Sequence, residues 1–496
     1  MDPVRVRFAP SPTGHLHLGG ARTALYDYLI VRKTGGKFIL RIEDTDRKRF
    51  VPGAEEEIKE GLRWIGIDWD EGPDIGGPYG PYRQSERKDV YQEYGCKLVE
   101  SGHAYYCFCS PERLSLIRKK KRAEKKLPHY DGTCRNIPIK EAKKRIAAGE
   151  PYVIRFKSPK EGTTTVHDLL RGEITIENYT LDDYILIKSD GWALYHLAAV
   201  VDDHLMKITH VIRGSEWLPT LPLHSLIHRA FGWKEPIWVH LSVFLKPNGK
   251  GKMSKRGASE LSKGSHSIFI KDLKSSGYLP EAVVNWIALM GWSYDDHTEY
   301  FKLKDLIEKF SLERLNPSPA AINFTKLDHF NRNYIKALTP SQLAEKIKPY
   351  FISCKYKVDD EKLCRIAPII RERIITLKDA VDMAGFFFKN NIEYNAEFLK
   401  VKGLTVKESI EVGKIVLRLL EKQREWTATA LEPPMRALLM EMDLSARQVF
   451  SFVREAVSGQ RVSPPLFESL EVFGKIEVLR RLNNAINYLK SIQSNA

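Results

Sequence analysis

Apolar and polar positions change rhythm twice near the start of the chain. Residues 4–8 alternate strictly and predict a β-strand, which the Pro-containing segment 9–14 must end. From Leu18 to Lys33 apolar residues recur every three to four positions and predict a helix, and residues 38–42 predict a second strand. A strand, a helix and a strand in this order form a βαβ unit. We therefore expect a parallel sheet that binds ligands at the carboxyl ends of its strands.

The same pattern returns later in the chain. Residues 210–213 predict a strand, residues 218–231 a helix and residues 237–240 another strand. More than 100 residues of different character separate the two βαβ units, which indicates a nucleotide-binding sheet interrupted by an inserted domain. From about residue 330 onward helical spacing dominates, so we expect an all-helical last part.

Length and charge extend this picture. At 496 residues the chain is too long for one core and predicts several domains. Lys and Arg number 78 and Asp and Glu 63, an excess of 15 positive charges that favours an anionic partner. Many soluble proteins are equally basic without binding nucleic acid, so the charge alone does not decide between the two possibilities. No run of about 18 apolar residues exists, which excludes a transmembrane helix. The first residues do not resemble a targeting peptide, so we expect a cytoplasmic protein or one whose targeting segment has been removed.

Six cysteines in a chain of this length indicate a reducing compartment rather than a disulfide framework. Cys107, Cys109 and Cys134 lie close in sequence. A Cys-x-Cys pair with a third cysteine beyond a loop suits tetrahedral zinc, and three unligated buried cysteines are the alternative. The remaining three lack partners at ligand spacing and are predicted to be core thiols: Cys96, Cys354 and Cys364.

Two motifs suggest phosphate chemistry. The segment 17–20, His-Leu-Gly-Gly, stands where the first loop meets its helix, and glycines at a helix start let a phosphate approach the backbone N–H groups. By itself this segment indicates no more than a turn whose histidine is hydrogen-bonded. The segment 252–256, Lys-Met-Ser-Lys-Arg, follows the last strand of the second unit. Its cations can close over a triphosphate, whereas a solvated charge run is the alternative. The two segments at one edge of the same predicted sheet favour nucleotide chemistry.

The residues around these motifs carry a family resemblance. Residues 12–20 resemble the HIGH signature of class I aminoacyl-tRNA synthetases, and residues 252–256 resemble their KMSKS signature. Further segments resemble the bacterial-type glutamyl-tRNA synthetases: RFAPSPTG at 7–14, RIEDTD at 41–46, YHLA at 195–198, VDDH at 201–204, VIR at 211–213 and YLPEA at 278–282. Together with the helical end, the resemblance extends over essentially the whole chain.

The resemblance implies a site. For ATP it implies Ser11, His17, Gly19, Gly20 and Lys255, with His17, Lys252 and Lys255 as the catalytic groups that neutralise phosphate charge. For glutamate it implies Arg7, Ala9, Ser11, Glu43, Tyr195 and Arg213. Physical chemistry agrees, because a doubly negative substrate needs arginines for its carboxylates and an acid for its ammonium group. For each charged residue alone, a surface or sheet-edge charge is the alternative.

The chain departs from many relatives at two places. Ala199 stands where a small polar residue is frequent, and the loop 257–264 after the basic segment is longer.

The resemblance also implies fold, cofactors and partners. We expect an α/β class I Rossmann-type catalytic domain in residues 1–85 and 196–241. We expect an α+β acceptor-binding insertion in 86–195, a stem-contact region in 242–330 that carries the basic loop, and a helical anticodon-binding domain in 331–496. ATP is the expected substrate, with Mg²⁺ on its phosphates and structural Zn²⁺ held by Cys107, Cys109, Tyr130 and Cys134, with His129 the alternative fourth ligand. The expected partner is tRNA(Glu), with tRNA(Gln) as a second candidate, and the expected state is a monomer.

Three alternative functions remain. A glutaminyl-tRNA synthetase shares the catalytic fold, but a neutral amide leaves Arg213 an unpaired buried charge. The short enzyme that glutamylates a modified anticodon base ends near the signature loop, whereas this chain continues for some 240 residues. A catalytically silent RNA-binding paralogue does not need the intact motifs. The basic run 118–126, with seven basic residues in nine, is either an RNA contact or a solvated tip.

Overall fold

A computed structural model of the chain describes residues 3–253 and 266–494. The chain divides into two compact units. The first comprises Met1–Leu273 and Val283–Phe324, and the second comprises Lys274–Ala282 and Thr325–Ala496.

The first unit mixes strands and helices. Its described strands are β1 (Arg5–Phe8), β2 (Lys37–Leu40), β3 (Ala104–Cys107), β4 (Val153–Phe156), β5 (Thr163–Asp168), β6 (Gly172–Glu177), β7 (Ile185–Ile187), β8 (His210–Gly214), β9 (Ile237–Leu241), β10 (Phe244–Leu245) and β11 (Ala320–Ala321). Its described helices are α1 (Leu18–Thr34), α2 (Ala54–Trp64), α3 (Lys88–Glu100), α4 (Pro111–Ala123), α5 (Ile139–Ala147), α6 (Tyr195–Leu205) and α7 (Leu221–Ala230), and further along the chain α10 (Leu303–Lys309). Two helices, α8 (Ile270–Ser275) and α9 (Pro280–Ala288), contain the residues at which the chain passes between units.

Both predicted βαβ units are present, and both are parallel. β1 pairs with β2, with Arg7 opposite Ile39, and β8 pairs with β9, with Arg213 opposite His240. The N–H of Thr209, just before β8, donates to the carbonyl of Arg5 in β1 at 2.9 Å. The predicted parallel arrangement is therefore confirmed, and the carboxyl ends of β1 and β8 lie at one edge.

The predicted bounds were wrong at one helix. The apolar spacing predicted a helix from residue 218, but residues 215–220 form a 3₁₀ turn and α7 begins at Leu221. Pro222 in the first turn of α7 explains this start, since proline fits where no intrahelical N–H bond is needed.

The segment between the two βαβ units contributes to two sheets. Strands β3, β4 and β7 form an antiparallel sheet. The hairpin of β5 and β6 instead joins the catalytic sheet, where Asp168 at the end of β5 lies opposite Trp238 of β9. The strand order in that sheet is β6-β5-β9-β8.

Both charged residues of the buried strand β1 are paired with carboxylates. All four residues of β1 are buried, and the two arginines among them bind carboxylates: Arg5 binds Glu71 at 2.8 Å and Arg7 binds Asp203 at 3.0 Å. The apolar alternation of residues 4–8 therefore forms a strand that is covered on both faces.

The second unit is helical throughout its described part, as the spacing predicted. Its helices are α11 (Phe324–Lys336, which begins at the last residue of the first unit), α12 (Pro340–Ser353), α13 (Asp360–Ile370), α14 (Asp379–Ala384), α15 (Ala396–Leu399), α16 (Val406–Lys422), α17 (Ala428–Glu441), α18 (Ala446–Ser458), α19 (Leu466–Phe473) and α20 (Lys475–Ser494). Thr405 and Ser445 begin α16 and α18 with capping boxes, in which side chain and backbone N–H groups satisfy one another.

One cysteine prediction was wrong. Cys354 is exposed at the end of α12, whereas Cys96 and Cys364 are only partly buried. No helix in residues 3–253 or 266–494 combines the length and apolarity needed to cross a membrane.

Candidate active site

The loops after β1 and β9 and the starts of α1 and α6 surround a cavity of about 710 Å³ in the first unit. Every described residue that was predicted to bind ATP or glutamate, or to act in catalysis, lines it: Arg7, Ala9, Ser11, His17, Gly19, Gly20, Glu43, Tyr195, Arg213 and Lys252. Its volume lies in the range of sites for small molecules, roughly 300–1,000 Å³. The fold thus gathers residues from both βαβ units around one space, and Lys255 lies outside the described residues.

His17 caps the N-terminus of α1. Its Nδ1 accepts a hydrogen bond from the Gly20 N–H at 3.2 Å, so its neutral form carries the ring proton on Nε2 and can donate there. The ring also explains Gly19, because a Cβ at that position would lie 3.1 Å from two imidazole atoms. An imidazole donor at a helix N-terminus is a setting that binds phosphate.

Lys252 supplies an exposed cation at the cavity. Its Nζ lies 3.9 Å from a carboxylate oxygen of Glu216, and 54% of its side chain is exposed. The next residue, Met253, is buried, and its N–H donates to the carbonyl of Phe244 at 2.8 Å. The backbone at Lys252 is therefore fixed, while its ammonium group can reach toward a polyphosphate without being buried first.

Asp203 forms ion pairs beside the residues that were predicted to bind the amino acid. Its Oδ1 accepts from Arg7 at 3.0 Å and from Arg41 at 2.7 Å, and Arg41 also donates to Glu43 at 3.0 Å. All four side chains are buried. Hydrogen bonds and opposite charges hold the pKa of Asp203 below its ordinary value despite its burial. Glu43 is thereby held at the cavity wall, where a carboxylate can bind an ammonium group.

A second carboxyl near this cluster is of a different kind. Asp27 on α1 is fully buried, and neither of its oxygens has a hydrogen-bond partner among the described residues. Burial raises the pKa of Asp27 well above its ordinary value. Burial disfavours the charged form of Asp27, and the carboxylate that pairs with Arg7 and Arg41 is Asp203.

Arg213 is held differently from Arg7. Its Nε donates to Nε2 of His240 at 2.9 Å, and its Nη1 donates to Tyr195 Oη at 3.1 Å and to Nδ1 of His224 at 3.3 Å. Its Nη2 is buried and has no partner among the described residues, and no carboxylate in 3–253 or 266–494 pairs with it. Burial lowers the pKa of Arg213 from its ordinary value. A buried guanidinium with its charge uncompensated favours an anionic ligand.

The imidazoles around Arg213 are neutral. Burial lowers the pKa of His240 and, together with the charge of Arg213, lowers that of His224. His196, which lies 3.1 Å from His224, has a pKa lowered to about 4 by its burial. Neutral rings accept hydrogen bonds from Arg213 without cancelling its positive charge.

The predicted metal ligands also meet, away from the cavity. The Sγ atoms of Cys107, Cys109 and Cys134 all lie within 4.8 Å of one another. The hydroxyl of Tyr130 lies 3.3 Å from Cys109 Sγ, whereas His129 is not part of the group. Three sulfurs and a phenol oxygen at these separations form a donor set that fits one tetrahedral zinc ion.

Four residues that hold the binding groups in place are not indicated by the sequence motifs. Asp203, Arg41, His240 and Asp168 are all buried, and no role followed from the motifs for any of them. A signal existed for Arg41 and His240, because each interrupts an apolar strand sequence and a buried polar group needs a partner.

Two family descriptions match the chain. Residues 3–329 match the family described as tRNA synthetases class I (E and Q), catalytic domain, and residues 342–486 match the anticodon binding domain. Together they extend over most of the two units.

Individual relatives match along the full length. A glutamate–tRNA ligase of Dehalococcoides mccartyi is 44% identical over 496 residues and one of Chloroflexus aurantiacus is 44% identical over 504 residues, each match covering 99% of both proteins. Among solved structures, a glutamate tRNA ligase from Elizabethkingia meningosepticum in complex with its amino acid is 38% identical, with a TM-score of 0.88. That match covers 98% of this chain and 100% of the other. The chain therefore belongs to the class I tRNA synthetases for glutamate and glutamine (E and Q), and it joins their catalytic domain to an anticodon-binding domain.

Proposed function

We propose that the chain is a glutamate–tRNA ligase that activates glutamate with ATP and transfers it to tRNA(Glu). The observation that carries the choice of glutamate is the buried Arg213, whose charge no described carboxylate neutralises. Glutamine is nearly isosteric with glutamate, so charge must separate the two. A neutral amide would leave the guanidinium desolvated and unpaired, which is costly.

The reaction has two steps. An oxygen of the glutamate α-carboxylate attacks the α-phosphorus of ATP, the bond to the β-phosphate oxygen breaks, and glutamyl-adenylate and pyrophosphate form. A hydroxyl of the 3′-terminal adenosine of the tRNA then attacks the acyl carbon and releases AMP. Mg²⁺ on the phosphates would neutralise part of their charge.

The chain contributes position and charge rather than covalent chemistry. His17 donates from Nε2 to the phosphates, beside the N–H groups of α1 and near Gly19 and Gly20. Lys252 and Lys255 neutralise the charge that develops as pyrophosphate leaves. Ser11, which also lines the cavity, would contact both substrates.

The amino acid is bound by groups from both βαβ units. Glu43 binds its ammonium group, and Arg213 with Tyr195 binds the γ-carboxylate. Arg7 lies alongside, but its Nε donates to Asp203 and its Nη1 donates to the carbonyl of Ile212. Ala9 provides backbone wall at the same place.

The parts outside the cavity serve the tRNA. We assign acceptor binding to the insertion 86–195, stem contact to 242–330 and anticodon binding to 331–496. The second unit contains a cavity of about 670 Å³ whose lining includes four cations, Lys400, Lys402, Arg447 and Arg461, and two carboxylates, Glu397 and Glu455. The cations outnumber the carboxylates, and an excess of positive charge suits an RNA backbone.

A zinc ion would cross-link the segments of the insertion that carry its ligands: Cys107, Cys109, Tyr130 and Cys134. Its role is structural, because all four ligand positions are filled by the chain and none is left for a substrate.

The test is ATP–pyrophosphate exchange in the presence of tRNA, with glutamate and with glutamine as the amino acid. We expect exchange with glutamate and little with glutamine. Equal exchange with both would contradict the selection of glutamate, and no exchange with either would favour a silent RNA-binding protein. Charging purified tRNA(Glu) and tRNA(Gln) side by side then shows whether both are substrates.

A further inference from the structure

A chain of buried hydrogen bonds leads away from Arg213 across three strands. Arg213 on β8 donates from Nε to Nε2 of His240 on β9 at 2.9 Å. Nδ1 of His240 lies 2.7 Å from Oδ2 of Asp168 at the end of β5. Asp168 and His240 are both fully buried, and neither lines the cavity. The side-chain hydrogen bonds that connect the two residues to the cavity run through Arg213.

The bonds fix the tautomer of His240. The carboxylate of Asp168 can only accept, so Nδ1 of His240 must carry the proton and donate it. Nε2 then has a lone pair, and it accepts from the Nε–H of Arg213. With the other tautomer, two N–H groups would face each other at 2.9 Å.

The carboxylate itself is held rigidly. Its Oδ1 accepts from the backbone N–H groups of Leu170 and Arg171, each at 3.0 Å, and its Oδ2 also accepts from the His240 N–H at 3.1 Å. Asp168 therefore has a fixed orientation. Its bond to His240 fixes the imidazole ring, and the ring in turn fixes the guanidinium of Arg213.

The intermediate imidazole also preserves the charge of Arg213. Asp203 binds Arg7 and Arg41 directly and compensates their charges. A neutral His240 between Asp168 and Arg213 fixes the guanidinium without a direct ion pair. The arrangement combines a defined position with an uncompensated positive charge, which is what selection of a carboxylate over an amide requires.

We propose that Asp168 and His240 are positioning residues for amino-acid selection, which hold Arg213 in the orientation that binds a side-chain carboxylate. This inference rests on the proposed role of Arg213. The alternative is that the bonds only join β5, β8 and β9. A purely structural role predicts that binding of both substrates and stability decline together.

Asp168→Asn is the first test. The Asn oxygen satisfies most backbone donors when it takes the place of Oδ1 and accepts from Leu170 and Arg171. The amide NH₂ then faces Nδ1 of His240, which must accept, and the proton moves to Nε2 opposite Arg213 Nε–H. Loss of one hydrogen bond to a charged group corresponds to about a 10- to 100-fold change. We expect KM for glutamate to rise by that factor and the preference over glutamine to fall equally, while KM for ATP stays within about threefold.

A pair of variants at His240 gives a test that does not depend on the folding of Asp168→Asn. His240→Gln keeps an oxygen that can accept from Arg213 Nε and should retain most of the selectivity. His240→Met has similar volume and no comparable acceptor, and it should lose the selectivity as Asp168→Asn does. Steady-state pyrophosphate exchange with tRNA present gives KM and kcat for each substrate, and thermal denaturation gives the stability of each variant.

The outcomes separate this inference from the proposed function. If Arg213→Ala loses the preference for glutamate while Asp168→Asn and His240→Met keep it, the positioning role is wrong and the role of Arg213 stands. If Arg213→Ala itself keeps the preference, both are wrong. If His240→Gln and His240→Met lose binding of ATP and of glutamate equally, the bonds serve only the sheet.

Discussion

The assignment of Arg213 can be tested by removing its guanidinium. In Arg213→Ala the cavity loses the one described cation that is buried beside Tyr195 without a carboxylate partner. Arg7, Arg41 and Glu43 keep their mutual bonds through Asp203, because none of these bonds involves Arg213. The change is therefore confined to the side of the cavity that we assign to the γ-carboxylate.

The burial of Arg213 sets the magnitude. Only 6% of the residue is exposed, so its pairing with a carboxylate takes place out of water. Removing one partner of such a pair costs ~3–5 kcal/mol, much of it from leaving the other charge buried and unpaired. At about 1.4 kcal/mol for each factor of ten, kcat/KM for glutamate should fall by about a hundred- to a few-thousandfold. KM for ATP should change little, because His17 and Lys252 are unaltered.

The assay is pyrophosphate exchange with tRNA present, with glutamate and glutamine measured for each protein. Lys252→Ala is the matched control, since it removes a different cation from the same cavity. We expect it to lower the rate while the ratio of kcat/KM for glutamate to that for glutamine stays unchanged. If Arg213→Ala prefers glutamate as strongly as the unaltered chain does, Arg213 is not the discriminating residue, and Arg7 becomes the candidate.

Three further outcomes are expected. Lys255→Ala should lower kcat about a hundredfold with little change in glutamate binding, because loss of one transition-state donor costs ~3 kcal/mol; near-normal adenylate formation would refute its role. Metal analysis should find one zinc per chain, and Cys109→Ser should lose both the metal and the local stability of the insertion; fully active metal-free protein would rule the site out. Burial raises the pKa of Glu455 to about 7 in the folded second unit, against an ordinary 4.5, so its ionisation removes stability as pH rises from about 4.5 through 7. Glu455→Gln should therefore raise the unfolding midpoint at pH 8 and have little effect at pH 4.5; an equal gain at both pH values would contradict the shift.

The spacing of apolar residues along the chain was sufficient to predict the main strands and helices of the catalytic unit. The strand at residues 4–8 and the helix from Leu18 were predictable because period-two and period-3.6 spacing of apolar residues report directly on burial. His17 was indicated as a binding group only when its glycine-containing segment was taken together with the basic segment 252–256, and the role of Arg213 was implied only by the family resemblance. Their meeting in one cavity agrees with the rule for parallel sheets.

Contacts between distant segments were not predictable in this way. Asp168 lies 72 residues from His240 in sequence, and nothing local indicates that the hairpin of β5 and β6 adds to the sheet of β8 and β9. The same limit explains Cys354, which follows apolar residues and yet lies exposed where α12 ends. Spacing predicts which face of an element is buried, but not where the neighbouring element stops covering it.

The attachment of β5 to β9 affects how the chain can be shortened. A deletion of residues 86–195 would remove β5 and β6 together with the antiparallel sheet. Strand β9, in which Trp238 lies opposite Asp168 of β5, would then become an edge strand. Its uncovered N–H and carbonyl groups could then pair with a strand of another molecule. A shortened chain that keeps β5 and β6 would retain a covered edge, and we expect it to stay dispersed at concentrations at which the full deletion aggregates.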